Sequence, residues 1–390
     1  MVNLIVYLIN PILYFILSID NVKYNKKSYY SFIILVCAYL GIINTCRIPD
    51  NDLLWYVESF KTAYGLSLIE YFPISGPNLV TPITDLGYLV YSWVLSNLTQ
   101  GNIPLFIFIT TFINYYILCV VAVKLGDFLK MKGSTIITTI IFVSFFPWIY
   151  SMSIHLMRQF IAGTIMIYLL FQLLYQGSLI EYLKKNFIFI LMMFLFHKSS
   201  LFFLVLFFLR FLDLPIRKGL MGYLFLFGGL MSYQMFASFL LPYVSAGNAV
   251  HNVIERASMD NDGILEMMTL SKICLLFFIG LSVFILGYFT KMPQKYKGMK
   301  HVCNVILISV IFIILNIQQT ELSNRFYFYV LPVIPYLLMF FLKIRPTILC
   351  VKKIIIGINI IAWILYVFWG EWKYELSEYF PFLPLFLVMV

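Results

Sequence analysis

Of 390 residues, 62% are hydrophobic, 19% aromatic and only 11% charged, with a formal net charge of +10. A soluble domain carries about 25% charged residues, so this chain cannot cover a water-facing surface, and no gap between its apolar runs accommodates a soluble domain of roughly 100 residues or more. A transmembrane β-barrel is excluded too, because alternating polar lumen positions are missing; the expected fold class is an all-α polytopic membrane protein, in which helices satisfy the backbone within lipid.

In chain order, the apolar runs predict about twelve crossing helices, at 3–19, 29–46, 103–123, 134–150, 157–175, 186–196, 199–212, 219–241, 269–290, 301–317, 326–342 and 354–369. Several fall short of the ~20 residues that a perpendicular crossing needs. The first run has neither a basic segment before it nor a small-residue cleavage site after it, so it reads as a retained helix rather than a signal peptide. The stretch 85–98 is apolar enough to cross, but counting it would reverse the sidedness of the basic loop that follows. It is read as an interfacial or re-entrant helix, rich in Tyr and Trp as interfaces prefer. The run 186–212 is read as a hairpin of two short helices with His197-Lys198-Ser199-Ser200 at its tip, lining a cavity. The six cysteines (Cys37, Cys46, Cys119, Cys274, Cys303 and Cys350) lie in or beside apolar runs without metal-ligand spacing, and read as buried thiols.

Charge sets the topology. With these helices, nineteen of the 27 Lys and Arg fall in alternate connections, and thirteen of the 17 Asp and Glu fall in the others. The positive-inside rule makes the basic loops cytoplasmic and places both termini outside. The basic charge therefore faces anionic lipid headgroups, and no nucleic-acid partner is expected. Residues 1–390 form one integral membrane domain on this reading, with outer loops 47–102 and 242–268 and an outer tail 370–390.

Four polar clusters stand out at the outer ends of helices. The first is Arg47-Ile-Pro-Asp50-Asn-Asp52-Leu-Leu-Trp55-Tyr56. It is either a hydrated loop with interfacial aromatics or a site where Asp50 or Asp52 takes a proton or binds sugar hydroxyls, with aromatic rings against the sugar. The second holds Arg158, which either snorkels to the headgroups or binds phosphate through its bidentate fork; a charge deep in a span costs at least ~2.5–3.5 kcal/mol. The third, Gln318 to Arg325, offers the same choice for Arg325. His197 is either a satisfied structural residue or a base. Two arginines, a histidine and carboxylates at one membrane face suggest a lipid-linked pyrophosphate substrate. No HExxH, Walker or Gly-rich phosphate sequence is present, and neither metal nor cofactor is expected.

The four motifs RIPDNDLLWY (47–56), MRQFIAGTIM (157–166), FHKSSL (196–201) and NRFYFY (324–329) resemble, in content and order, the EpsG-like branch of Wzy-type bacterial polysaccharide polymerases. The likeness spans most of the chain. The first motif departs from the family in its Pro-Asp-Asn-Asp form, where many relatives have glycine before a single aspartate. The resemblance implies a metal-independent glycosyltransferase of the bacterial inner membrane. Such an enzyme moves a growing glycan from undecaprenyl diphosphate to a hydroxyl of an incoming lipid-linked repeat unit at the outer face. It further implies Asp52 or His197 as the catalytic base, and Arg47, Asp50, Tyr56, Arg158 and Arg325 as substrate-binding residues. A chain-length regulator and a flippase are implied partners. The alternatives weighed beside it are an O-antigen ligase, to which the loop with His251, Glu255 and Arg256 is suited, and a transporter of lipid-linked sugars.

Overall fold

A computed structural model describes residues 2–21, 26–75, 85–175, 179–208, 221, 222, 224, 228, 239–243, 270–286, 297–317, 320–344, 352–370 and 374–376. Apart from one isolated bridge between Arg47 and Tyr374, the described residues are helices, 3-10 turns and connections. The expected loop 242–268 lies outside the described residues but for 242 and 243, and most of the helix expected at 219–241 does so as well.

The first expected helix is two: α1 (Val2–Ile9) and α2 (Pro11–Asn21). Pro11 has no N–H to give the preceding turn and suits the first position of a new helix. The Asn10 side chain caps that start by accepting from Leu13 N–H at 2.8 Å. Helix α3 (Lys26–Thr45) follows, and α7 (Ile103–Leu129) packs along it. Asn102 caps α7 through Leu105 N–H at 3.0 Å, and Lys130 ends it with a left-handed φ of 51°. The run expected as one helix over 134–150 is bent by 55° between α8 (Gly133–Ser144) and α9 (Pro147–His155), where Pro147 opens the second segment.

Four helices are long and apolar enough to cross a bilayer: Ser28–Thr45, Ile103–Leu129, Gly298–Leu315 and Ser323–Lys343. The bent pair makes a fifth if it counts as one crossing. The described chain is thus a polytopic helical membrane protein with four or five such candidates. The other helices assigned to the expected twelve run 8 to 18 residues, short of the ~20 that a perpendicular span requires.

Between α3 and α7 lie three short helices, α4 (Asn51–Ala63), α5 (Leu68–Ser75) and α6 (Leu86–Leu98). A Ser67–Glu70 capping box starts α5: Glu70 N–H donates to the Ser67 hydroxyl at 3.3 Å, and Ser67 N–H donates back to the Glu70 carboxylate at 2.9 Å. Side chains of α6 tie it to its neighbours. Ser96 Oγ donates to Phe60 carbonyl at 2.7 Å, Trp93 Nε1 donates to Leu66 carbonyl at 2.8 Å, and the Tyr91 and Thr110 hydroxyls meet at 2.7 Å.

Two compact units organise the chain. The first comprises 1–168, 191–198 and 332–390, and the second 169–190 and 199–331. In the second unit, Leu270–Phe284 packs on Lys297–Leu315, which also packs on Thr320–Val330; Phe202, Phe312 and Phe326 form an aromatic cluster there.

In the first unit, α11 (Leu179–Phe196) ends just before His197. The turn at Leu195 meets the first turn of α6 so closely that a Cβ built on Gly87 would lie 2.9 Å from the Leu195 carbonyl carbon. Backbone rather than a flexible side chain would have to give way. Gly87→Ala is therefore expected to destabilise the protein by roughly 1–3 kcal/mol, seen as a lower melting temperature of nanodisc-embedded protein, with membrane insertion unchanged.

Candidate functional site

Helix α10 (Met157–Gln172) starts one residue after α9 ends, which puts Arg158 in its first turn. A cation at a helix N-terminus opposes the macrodipole, so this position needs a compensating anion. Asp85 supplies it. Arg158 Nη1 donates to Asp85 Oδ2 at 2.6 Å, with the two side chains 26% and 7% exposed.

Asp85 stands at the N-cap of α6, yet its side chain makes no capping bond to that helix. Its carboxylate is instead bonded to Arg158 and to the backbone N–H of Lys198, the residue after His197. Burial pushes the Asp85 carboxyl above the usual carboxylate range, against the opposing pull of the Arg158 and Lys198 charges. Three separate stretches of sequence thus converge on one carboxylate.

Aromatic groups wall the pair. The Tyr56 ring centroid lies 5.8 Å from the Arg158 guanidinium carbon, within cation–π range. It is 5.2 Å from the Tyr88 ring, whose hydroxyl donates to Met157 Sδ at 3.9 Å. Tyr56 and Tyr88 are both buried. Burial also pushes the Tyr56 hydroxyl up; Arg158 opposes that, while the Asp52 and Asp85 charges reinforce it. Asp52 is half-buried in the first turn of α4, four residues before Tyr56.

Of the residues singled out in the sequence, the structure brings Tyr56 and Arg158 together, with Asp52 in electrostatic reach of Tyr56. His197 is buried and joins the cluster through the adjacent Lys198. Arg47 and Asp50 pair with each other, Arg47 Nη2 donating to Asp50 Oδ1 at 3.1 Å, and the Arg47 side chain is only 1% exposed. The tail docks beside them: Arg47 and Tyr374 form an antiparallel bridge, Glu375 N–H donates to Cys46 carbonyl at 2.7 Å, and Tyr374 stacks on Tyr150. Arg325 belongs to the second unit, half-buried in Thr320–Val330. Its neighbour Asn324 accepts from Lys272 Nζ at 3.0 Å. His155 ends α9.

Asp85 and Tyr88 did not stand out in the sequence. A signal was nevertheless present: a carboxylate directly before an apolar 13-residue helix has to find a cation or a cap. No group of three or more His, Cys, Asp or Glu side chains placed to hold a metal ion occurs among the described residues.

The described chain is a polytopic helical membrane protein that carries an acid–arginine pair beside two buried tyrosines. The chain belongs to the EpsG family, whose family model matches residues 29–385 and so takes in every residue of this cluster. No curated protein and no solved structure matches the chain. Membership in the family points to polysaccharide biosynthesis and a glycosyltransferase-like polymerase activity.

Removing one partner of a buried ion pair leaves the other charge uncompensated. Arg158→Ala and Asp85→Asn should each lower stability, and the double variant should recover part of the loss. A double-mutant cycle on denaturation in nanodiscs is expected to give a coupling energy of roughly 1–3 kcal/mol; additive effects would show that the two groups do not depend on each other.

Proposed function

We propose that the protein is a polysaccharide repeat-unit polymerase acting on undecaprenyl-diphosphate-linked glycans at the outer face of the bacterial inner membrane. The observation that carries this reading is Arg158: a guanidinium held among tyrosines in a chain that belongs to the EpsG family. Guanidinium binds phosphate oxygens through paired N–H groups, and a site walled from water strengthens that attraction.

On this reading Arg158 binds the donor's diphosphate and stabilises its charge as it leaves, without a metal ion. The acceptor hydroxyl oxygen attacks the anomeric carbon, the bond from that carbon to the phosphate oxygen breaks, and the hydroxyl proton passes to Asp52 or His197. Undecaprenyl diphosphate departs. Tyr56, beside Arg158, orients sugar. Arg47 and Asp50, paired with each other, act by holding the loop that leads into α4. Arg325, with Lys272 and Asn324 in its own unit, offers a further cationic contact to lipid-linked substrate. The sidedness rests on the basic loops being cytoplasmic, and a flippase and a chain-length regulator are the expected partners.

The test is a gel of surface glycan from the native host with the gene deleted and then restored. The expected result is collapse of the ladder to a single repeat unit on its anchor, rescued by wild type and not by Arg158→Ala, while Arg158→Ala protein is still found in the membrane. Long lipid-linked chains that accumulate without final transfer would reveal a ligase instead. Wild-type chain lengths with Arg158→Ala would overturn the assignment.

A further inference from the structure

Asp85 has no part in the transfer step just described, yet it is a buried carboxylate in the cluster. A guanidinium carries five N–H groups in a rigid planar fork. Asp85 occupies Nη1, the nitrogen that covalent geometry places on the Cδ side, away from the Nε–H bond. The remaining N–H groups are the ones left to bind a phosphate. The Tyr56 hydroxyl also bonds to the guanidinium and Nε is buried, so a ligand meets Arg158 through the part of its side chain that stays exposed, about a quarter of it.

The carboxylate is itself fixed from two sides. It starts α6, whose first turn packs against the backbone at Leu195, and it receives the Lys198 backbone N–H. An unpinned arginine has many rotamers to lose on binding, whereas one pinned at a single nitrogen has already lost most of them. The same carboxylate also opposes an arriving anion, because a negative charge already sits 2.6 Å from the cation that binds it.

We propose that Asp85 is a positioning residue of this site: it holds Arg158 by Nη1, leaves the accessible part of the guanidinium to face the diphosphate of a lipid-linked sugar, and through its charge limits how tightly the spent polyprenyl diphosphate is retained. This role rests on the reading of Arg158 as the diphosphate ligand.

The test uses full-length protein in nanodiscs, with undecaprenyl diphosphate as the probe and chain extension in the native host as the second readout. Asp85→Asn keeps an oxygen for Nη1 and removes the charge. It should bind the probe about threefold to tenfold more tightly than wild type, while shortening the polymer because product leaves slowly. Asp85→Glu, which restores the charge, should return affinity toward the wild-type value. Asp85→Ala should lose chain extension, and where it fails to fold, the affinities of the Asn and Glu variants decide. An Asp85→Asn affinity equal to or weaker than wild type overturns the positioning role, as does wild-type chain length in a folded Asp85→Ala. If wild type binds no probe, or Arg158→Ala binds it equally well, the Arg158 reading falls and the role of Asp85 falls with it. Probe binding lost in Arg158→Ala but unchanged in Asp85→Asn sinks the Asp85 role alone.

Discussion

A carboxylate and a guanidinium taken out of water are each expensive to desolvate, by several kcal/mol, and persist only when they face each other with their remaining bonds met. The pair Asp85–Arg158 imposes that requirement on the first unit. It accounts for why α6 begins where it does, why Gly87 must be small enough for backbone to approach backbone, and why the residue after His197 turns its N–H toward the start of α6. The aromatic wall of Tyr56 and Tyr88 serves the same end, since it excludes water on one side while offering the ring faces that cations prefer.

The surroundings follow a consistent rule: polar groups in an apolar chain are spent locally. Thr110, Thr138, Thr139 and Ser309 hydroxyls donate to carbonyls one turn back in their own helices. Asn44 Nδ2 bridges α3 to Thr111 and Ser153 at 3.0 and 2.9 Å. Not every buried polar atom is met this way: among the described residues Arg158 Nε, Thr164 Oγ1 and Asn186 Oδ1 have no protein bond, and such groups call for a water or a ligand.

Much of this architecture was legible in the sequence because bilayer physics writes it in composition. Helix positions for α3, α7 and Lys352–Trp369 follow from apolar runs, and the break at His197 from the charge pattern. The breaks were harder to read. Pro11 and Pro147 sit inside runs that hydropathy averages into single helices, and only the missing N–H of proline divides them. In the site, Arg158 and Tyr56 were visible because a lone cation or an aromatic beside acids is unusual in such a chain. Asp85 was not: its meaning lies in partners 73 and 113 positions away, and residue spacing along a chain carries no trace of contacts made by folding.

The bridge between Arg47 and Tyr374 joins an early segment of the chain to one of the last. A ribosome delivers residues in order and membrane segments settle as they emerge, so the neighbourhood of Arg47 waits through more than three hundred further residues for the segment that docks on it. During that interval the Arg47–Asp50 pair and the start of α4 lack their final covering. Closure of this seam therefore has to wait until residue 374 has been made.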